Sequence, residues 1–181
     1  MAARGYNDNN DAAGYDPNGD SPVIDPYELV GRLQFGSEPQ RAFAADALAA
    51  ASRDDEDARL AIISVPGAAQ ALVTCLKSTP IERPATLACA RSAWHLSRSA
   101  RCRGPLHHAG ILPVLIRLVR GAGADHPVAV AAIKALANLA LSDAAKDAIR
   151  ESWGLPVIVE SLRSPSVDAA VAAASALANL A

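Results

Sequence analysis

The chain has 181 residues, with 17 Lys and Arg against 19 Asp and Glu, and a formal net charge of −2. Apolar residues reach 51% but aromatics only 4%, a balance that argues against nucleic acid, which needs a basic surface and stacking rings. Three cysteines (Cys75, Cys89 and Cys102) without a C-x-x-C pair argue against a disulfide scaffold and read as reduced thiols of an intracellular protein.

The start, MAARGYNDNN, lacks an apolar signal core, and no uncharged apolar run reaches the roughly 18 residues that span a membrane. The expected location is therefore cytoplasmic or nuclear. Met1-Ala2 also excludes N-myristoylation, which requires Gly after Met.

Residues 1–25 are rich in Asn, Asp and Gly, with little to bury, and predict a disordered acidic tail. Asp16, Asn18 and Asp20 suggest a calcium loop only superficially, because Tyr27 stands at the twelfth place, where a bidentate Glu is needed. Residues 26–35 and 38–52 predict a short helix and a longer Ala-rich one, the second opened by Ser37 and Pro39. A helix with an acidic first turn follows over 54–65, then one over 68–77 after Gly67, and a third from Pro84 to Ser97.

The next group covers 102–109, 111–120, a Gly-Ala-Gly loop and 127–141. The last covers 144–153, 155–163 and 167–181, where the sequence stops inside a helix without a polar capping helix. That end is expected to continue or to associate with another molecule.

The helices recur. The string A-L-A-N-L-A appears at 135–140 and again at 176–181. Leu29, Leu72, Leu115 and Ile158 are each 43 residues apart, and so are Leu33, Leu76, Val119 and Leu162. Pro39, Pro84 and Pro127 each fall nine residues before Leu48, Ala93 and Leu136, which aligns the third helix of each unit. Gly67, Gly110 and Gly154 precede the second helices in the same manner.

This pattern, with GILPVLIRLV at 110–119 and GLPVIV at 154–159, resembles the armadillo repeat over residues 26–181. The Ala- and Leu-rich units resemble those of plant and algal members in particular. The resemblance implies an all-α, right-handed solenoid of three complete units and a partial N-terminal one, with divisions near 26–52, 54–98, 101–141 and 143–181. It implies a non-enzymatic scaffold or adaptor, whose third helices line a concave groove that binds an extended peptide. An alternative is the substrate-recognition region of a U-box ubiquitin ligase, as a fragment without its U-box.

On a helical wheel Ala132, Ile133, Leu136, Leu139 and Ala140 form a core face, with Lys134, Asn138 and Leu141 opposite. Asn is a poor residue for a helix interior, so an exposed Asn there needs a reason. The resemblance gives one, since Asn at this place bonds the backbone of a bound peptide, a role that falls to Asn138 and Asn179. A simpler reading has both solvated or capping a neighbouring carbonyl.

Carried back by 43, the same face presents Arg91, His95 and Arg98, while the first unit gives Asp46, Ala50 and Arg53. His95 and Ala50 thus interrupt the Asn row. Between Glu82 and Asp125 there is no acid, yet Arg91, Arg98, Arg101, Arg103, Arg117 and Arg120 all fall there. Arg91 and Arg98 are expected to make the groove positive and favour an acidic peptide.

Lys134 and Ser175 occupy the places where the importin-alpha branch carries Trp, which argues against a receptor for basic signals. Trp94 is expected on the flank of its helix, packed between units, and Trp153 is expected to be largely buried. No nucleophile elbow, phosphate loop or zincin motif is present, and Cys102 with His107 and His108 lacks the spacing of a zinc site. Neither a cofactor nor a metal is expected.

Overall fold

A computed structural model describes residues 25–181, and the predicted tail lies outside them apart from Asp25. Eleven helices and no strand occur among the described residues. They are α1 (Pro26–Phe35), α2 (Glu38–Ala51), α3 (Glu56–Ser64), α4 (Ala68–Ser78) and α5 (Pro84–Ser97). Then come α6 (Ala100–His108), α7 (Ile111–Ala122), α8 (Pro127–Leu139), α9 (Asp143–Glu151), α10 (Gly154–Ser161) and α11 (Val167–Leu180).

Local chemistry explains where the helices begin. The Asp25 side chain accepts from the Tyr27 amide at 3.0 Å, and Ser37 and Gln40 form a reciprocal capping box on α2. Asp55 accepts from the amides of Asp57 and Ala58 to open α3, and Ser166 accepts from Ala169 to open α11. Pro26, Pro39, Pro84 and Pro127 sit in first turns, where a missing amide hydrogen costs no helical bond.

The helices stack in file. The third helices α2, α5, α8 and α11 pack one on the next, and α1, α4, α7 and α10 form a second row behind them. One continuous apolar cluster runs from Leu29 to Leu180. All four members of the first 43-residue ladder (Leu29, Leu72, Leu115 and Ile158) are buried within it. Leu136 is fully buried and Leu177 packs partly buried against the same core.

The face of α10 and α11 turned away from the array differs from the inner helices. Ile116 and Val119 of α7 are 3% exposed, whereas Val159 and Leu162, 43 residues later, are 47% and 41% exposed. Both positions carry the apolar identity of the inner units, and no element covers them among the described residues.

Two expectations about the last corner are corrected. Gly67 and Gly110 open their helices with left-handed backbone, φ of 81° and 77°, but the third such corner is Trp153, with φ of 57°. The 43-residue step from Gly110 lands on Trp153, so Gly154 is not the turn residue. Gly154 is instead the first residue of α10, pressed against its surroundings: a Cβ there would lie 2.7 Å from Ile149 Cγ2 and 3.0 Å from Ile116 Cδ1. Trp153 is not buried either. It is 73% exposed, because the left-handed corner stands clear of the packed rows.

Adjacent positions should therefore respond oppositely. Left-handed backbone costs a non-glycine residue on the order of 1 kcal/mol. Trp153→Gly should relieve it and raise amide-exchange protection in α9 and α10 by about fivefold. Gly154→Ala should lower that protection by at least as much, because overpacking costs about 1–3 kcal/mol. Hydrogen exchange followed by mass spectrometry reads both.

Candidate peptide-binding groove

The site is built on α5, α8 and α11, whose mutual contacts are made largely by small residues. Ala88, Ala90, Ala93, Ala131, Ala135 and Ala173 are all buried. Small side chains let the backbones approach, which brings the carbonyls of one helix within reach of polar side chains on the next. Ser92 of α5, for example, donates to the carbonyl of Ala45 in α2 at 3.1 Å.

Asn138 and Asn179 use the same geometry. Asn138 Nδ2 donates to Ser97 Oγ at 3.0 Å and to the Trp94 carbonyl at 3.4 Å, and Asn179 Nδ2 donates to the Ala137 carbonyl at 2.8 Å. Each carbonyl lies one residue before the equivalent position on the preceding helix. Both side chains are half-buried, so the carbonyl-capping arrangement weighed from the sequence is present. The Oδ1 atoms have no protein partner among the described residues.

His95, expected on the groove face, is only 5% exposed and does not present itself to a peptide. Its ring lies back on Trp94, with centroids 4.6 Å apart and planes 30° from parallel, and its Nδ1 is buried without a partner. Burial, followed by the nearby Arg53 and Arg98 cations, lowers its pKa from 6.5 to about 4. The longer imidazole does not reproduce the amide bond that Asn makes at this place in the next two units.

The cations are also distributed differently from expectation. Arg98 donates to the Arg53 carbonyl and lies 3.9 Å from Asp54, and Arg103 caps the carbonyls of Ser97 and Arg98. Arg117 reaches the Leu76 carbonyl at 2.7 Å. In the preceding unit Arg59 caps Ser52 and Arg53 in the same way. Three of the six arginines that looked like a positive stripe, Arg98, Arg103 and Arg117, therefore satisfy open carbonyls at helix C-termini. The 44-residue interval from Arg59 to Arg103 was the available signal for this pairing.

Arg91 is exposed and forms no ion pair among the described residues. It lines a cavity of about 650 Å³ with Trp94, Val130, Lys134, Val167 and Asp168. Lys134 Nζ stands 4.7 Å over the Trp94 ring and 2.9 Å from Asp168 Oδ2. Trp94 is half-buried and packs against the core as expected for a flank residue, but one face is turned to Lys134. Ser175 is exposed and donates to the Val171 carbonyl of its own helix.

Elsewhere, Cys75 and Cys89 interact in the core, which brings Cys75 down to about 7 and pushes Cys89 up. Cys102 donates to the Arg59 carbonyl. Among the described residues no three His, Cys, Asp or Glu side chains converge as metal ligands.

Triads of helices in file, with small-residue contacts between the third helices, define an armadillo-type solenoid. Known structures share the architecture. An engineered protein superposes with a TM-score of 0.77 at 29% identity, over 86% of this chain and 62% of its own. A designed armadillo repeat protein gives 0.76 at 22% identity, with 86% and 64% covered. A second, in complex with peptide (KR)4, gives 0.74 at 22%, again with 86% and 64% covered. The chain thus spans less than two thirds of the length of these neighbours. No family model and no curated protein matches it. The designed neighbours do not bear on the plant or algal affinity.

His95 makes the fold's stability depend on pH with a definite sign. Its folded pKa lies below its unfolded value, so the unfolded chain binds the extra proton between them. Its full contribution is present above pH 6.5 and is lost as pH falls towards 4. Urea unfolding at pH 7.0 and 5.0 should show this loss in the natural chain and a smaller one in His95→Asn.

Proposed function

We propose that the chain is a non-catalytic scaffold, acting in the cytoplasm or nucleus, that holds an extended peptide along the face formed by its third helices. The observation that carries this reading is the pair Asn138 and Asn179. They stand at one place on successive helices, each amide nitrogen tied to the helix before it, each Oδ1 without a protein partner among the described residues. An amide fixed in this way is an acceptor positioned in advance for a backbone N–H, and two such acceptors one unit apart suit a chain lying across the helices. That a designed armadillo protein holds the peptide (KR)4 shows what this architecture can support.

The ligand of this chain is read as acidic rather than basic. Arg91 lines the cavity and forms no ion pair among the described residues, and Lys134 stands in the same wall. The reading rests on these two residues, because Arg98 is engaged with Arg53 and Asp54. The ubiquitin-ligase alternative gains no supporting observation from residues 25–181.

A fluorescein-labelled (Glu-Ala)5 peptide, followed by anisotropy, tests both parts. The double variant Asn138→Ala, Asn179→Ala should bind at least tenfold more weakly, the scale of two lost hydrogen bonds worth about 1 kcal/mol each. Arg91→Glu should weaken binding most at low salt, since partly exposed charges are screened as salt rises. Unchanged affinity in the double variant, with helicity intact, would move the ligand to another surface.

A further inference from the structure

Lys134 of α8 joins three successive third helices at a single cation. Its ammonium lies over the Trp94 ring of α5 and against the carboxylate of Asp168 on α11. The two members of the ion pair differ in how firmly they are held. The Lys134 side chain is 25% exposed and fixed from below by the aromatic face, whereas the Asp168 side chain is 71% exposed. Displacing Lys134 would break two contacts and strip the ring of its cover. Displacing Asp168 breaks one contact, and that carboxylate passes into water with little loss, as exposed ion pairs contribute little.

We propose that Asp168 is an internal stand-in for the ligand, and that an anionic side chain of the bound peptide takes its place on Lys134. This rests on the groove reading above and names the chemical group recognised there. Arg91 lines the same cavity without a carboxylate partner among the described residues, and Asp125 is the other acid in the wall. With Asp168 turned to solvent, two cations face one carboxylate, and a ligand anion meets both a held ammonium and a guanidinium. The Trp94 ring keeps the ammonium in position between ligands, so the exchange needs no rearrangement of α8. The exchange also sets selectivity. A neutral side chain gains no charge contact when Asp168 leaves, and a basic one meets two like charges. The anion recognised is a carboxylate or a phosphoryl group, which share this chemistry.

The experiment compares labelled decapeptides (Glu-Ala)5, (Gln-Ala)5 and (Lys-Ala)5, and a phosphoserine analogue, against the full chain and its variants Asp168→Asn, Lys134→Met and Lys134→Arg. Asp168→Asn removes the internal competitor and should tighten the Glu peptide by roughly two- to fivefold, the scale of one exposed ion pair. Lys134→Met should weaken it at least as much, Lys134→Arg should restore most of the loss, and the Gln peptide should respond to none of them. A phosphoserine peptide that binds more tightly than the Glu peptide identifies a phosphoryl ligand, and the reverse identifies a carboxylate. An unchanged or weaker Glu peptide with Asp168→Asn, or a Lys peptide that gains affinity, overturns the proposal. If Asn138→Ala, Asn179→Ala abolishes binding while Asp168→Asn does nothing, the groove stands and the exchange falls. If no peptide binds the natural chain, both fall.

Discussion

Close approach between neighbouring third helices is the constraint on which this molecule depends. Ala88, Ala90, Ala93, Ala131, Ala135 and Ala173 are buried where α5, α8 and α11 meet, and larger side chains in their place would force the backbones apart. The apolar surface buried this way stabilises the array, but its second effect is on polar groups. Carbonyls of one helix come within hydrogen-bonding distance of the next, and Ser92, Asn138 and Asn179 each donate to one. The residues that recommend a binding groove are thus also seams between units, and the groove's geometry is as rigid as the stack that produces it.

The same constraint accounts for the arginines. Two of the third helices end with open carbonyls that the next unit closes with a guanidinium: Arg59 for α2 and Arg103 for α5. Arg has several donors in a rigid fork and a stem that covers apolar surface, so it can close two carbonyls at once. A block of sequence without acids therefore does not mean a block of surface free to attract an anion. What remains for the proposed ligand is local, centred on Arg91 and the held ammonium of Lys134.

Much of the architecture was legible in the sequence because core positions recur at a fixed interval. Leu29, Leu72, Leu115 and Ile158 identify the second helices, and Pro84 and Pro127 identify where third helices begin. The position of Asn138 and Asn179 on one helical face was legible for the same reason. Their partners were not, because these depend on how far one helix slides past the next. The corner at Trp153 was misread for a simpler cause: Gly154 has the expected identity one place beyond the expected interval. His95 was misread because a wheel assigns a face by angle alone, while the imidazole is long enough to fold back onto Trp94.

A row in which each unit touches only those beside it has a cooperative length shorter than the molecule. The main contacts between units run from each third helix to the next, α2 to α5, α5 to α8 and α8 to α11. Opening can therefore proceed by whole units, with one unit loosened while its neighbours stay intact. One melting temperature would average over such partly opened forms. The proposed groove, which needs α5, α8 and α11 together, would be lost when the unit carrying any one of them opens.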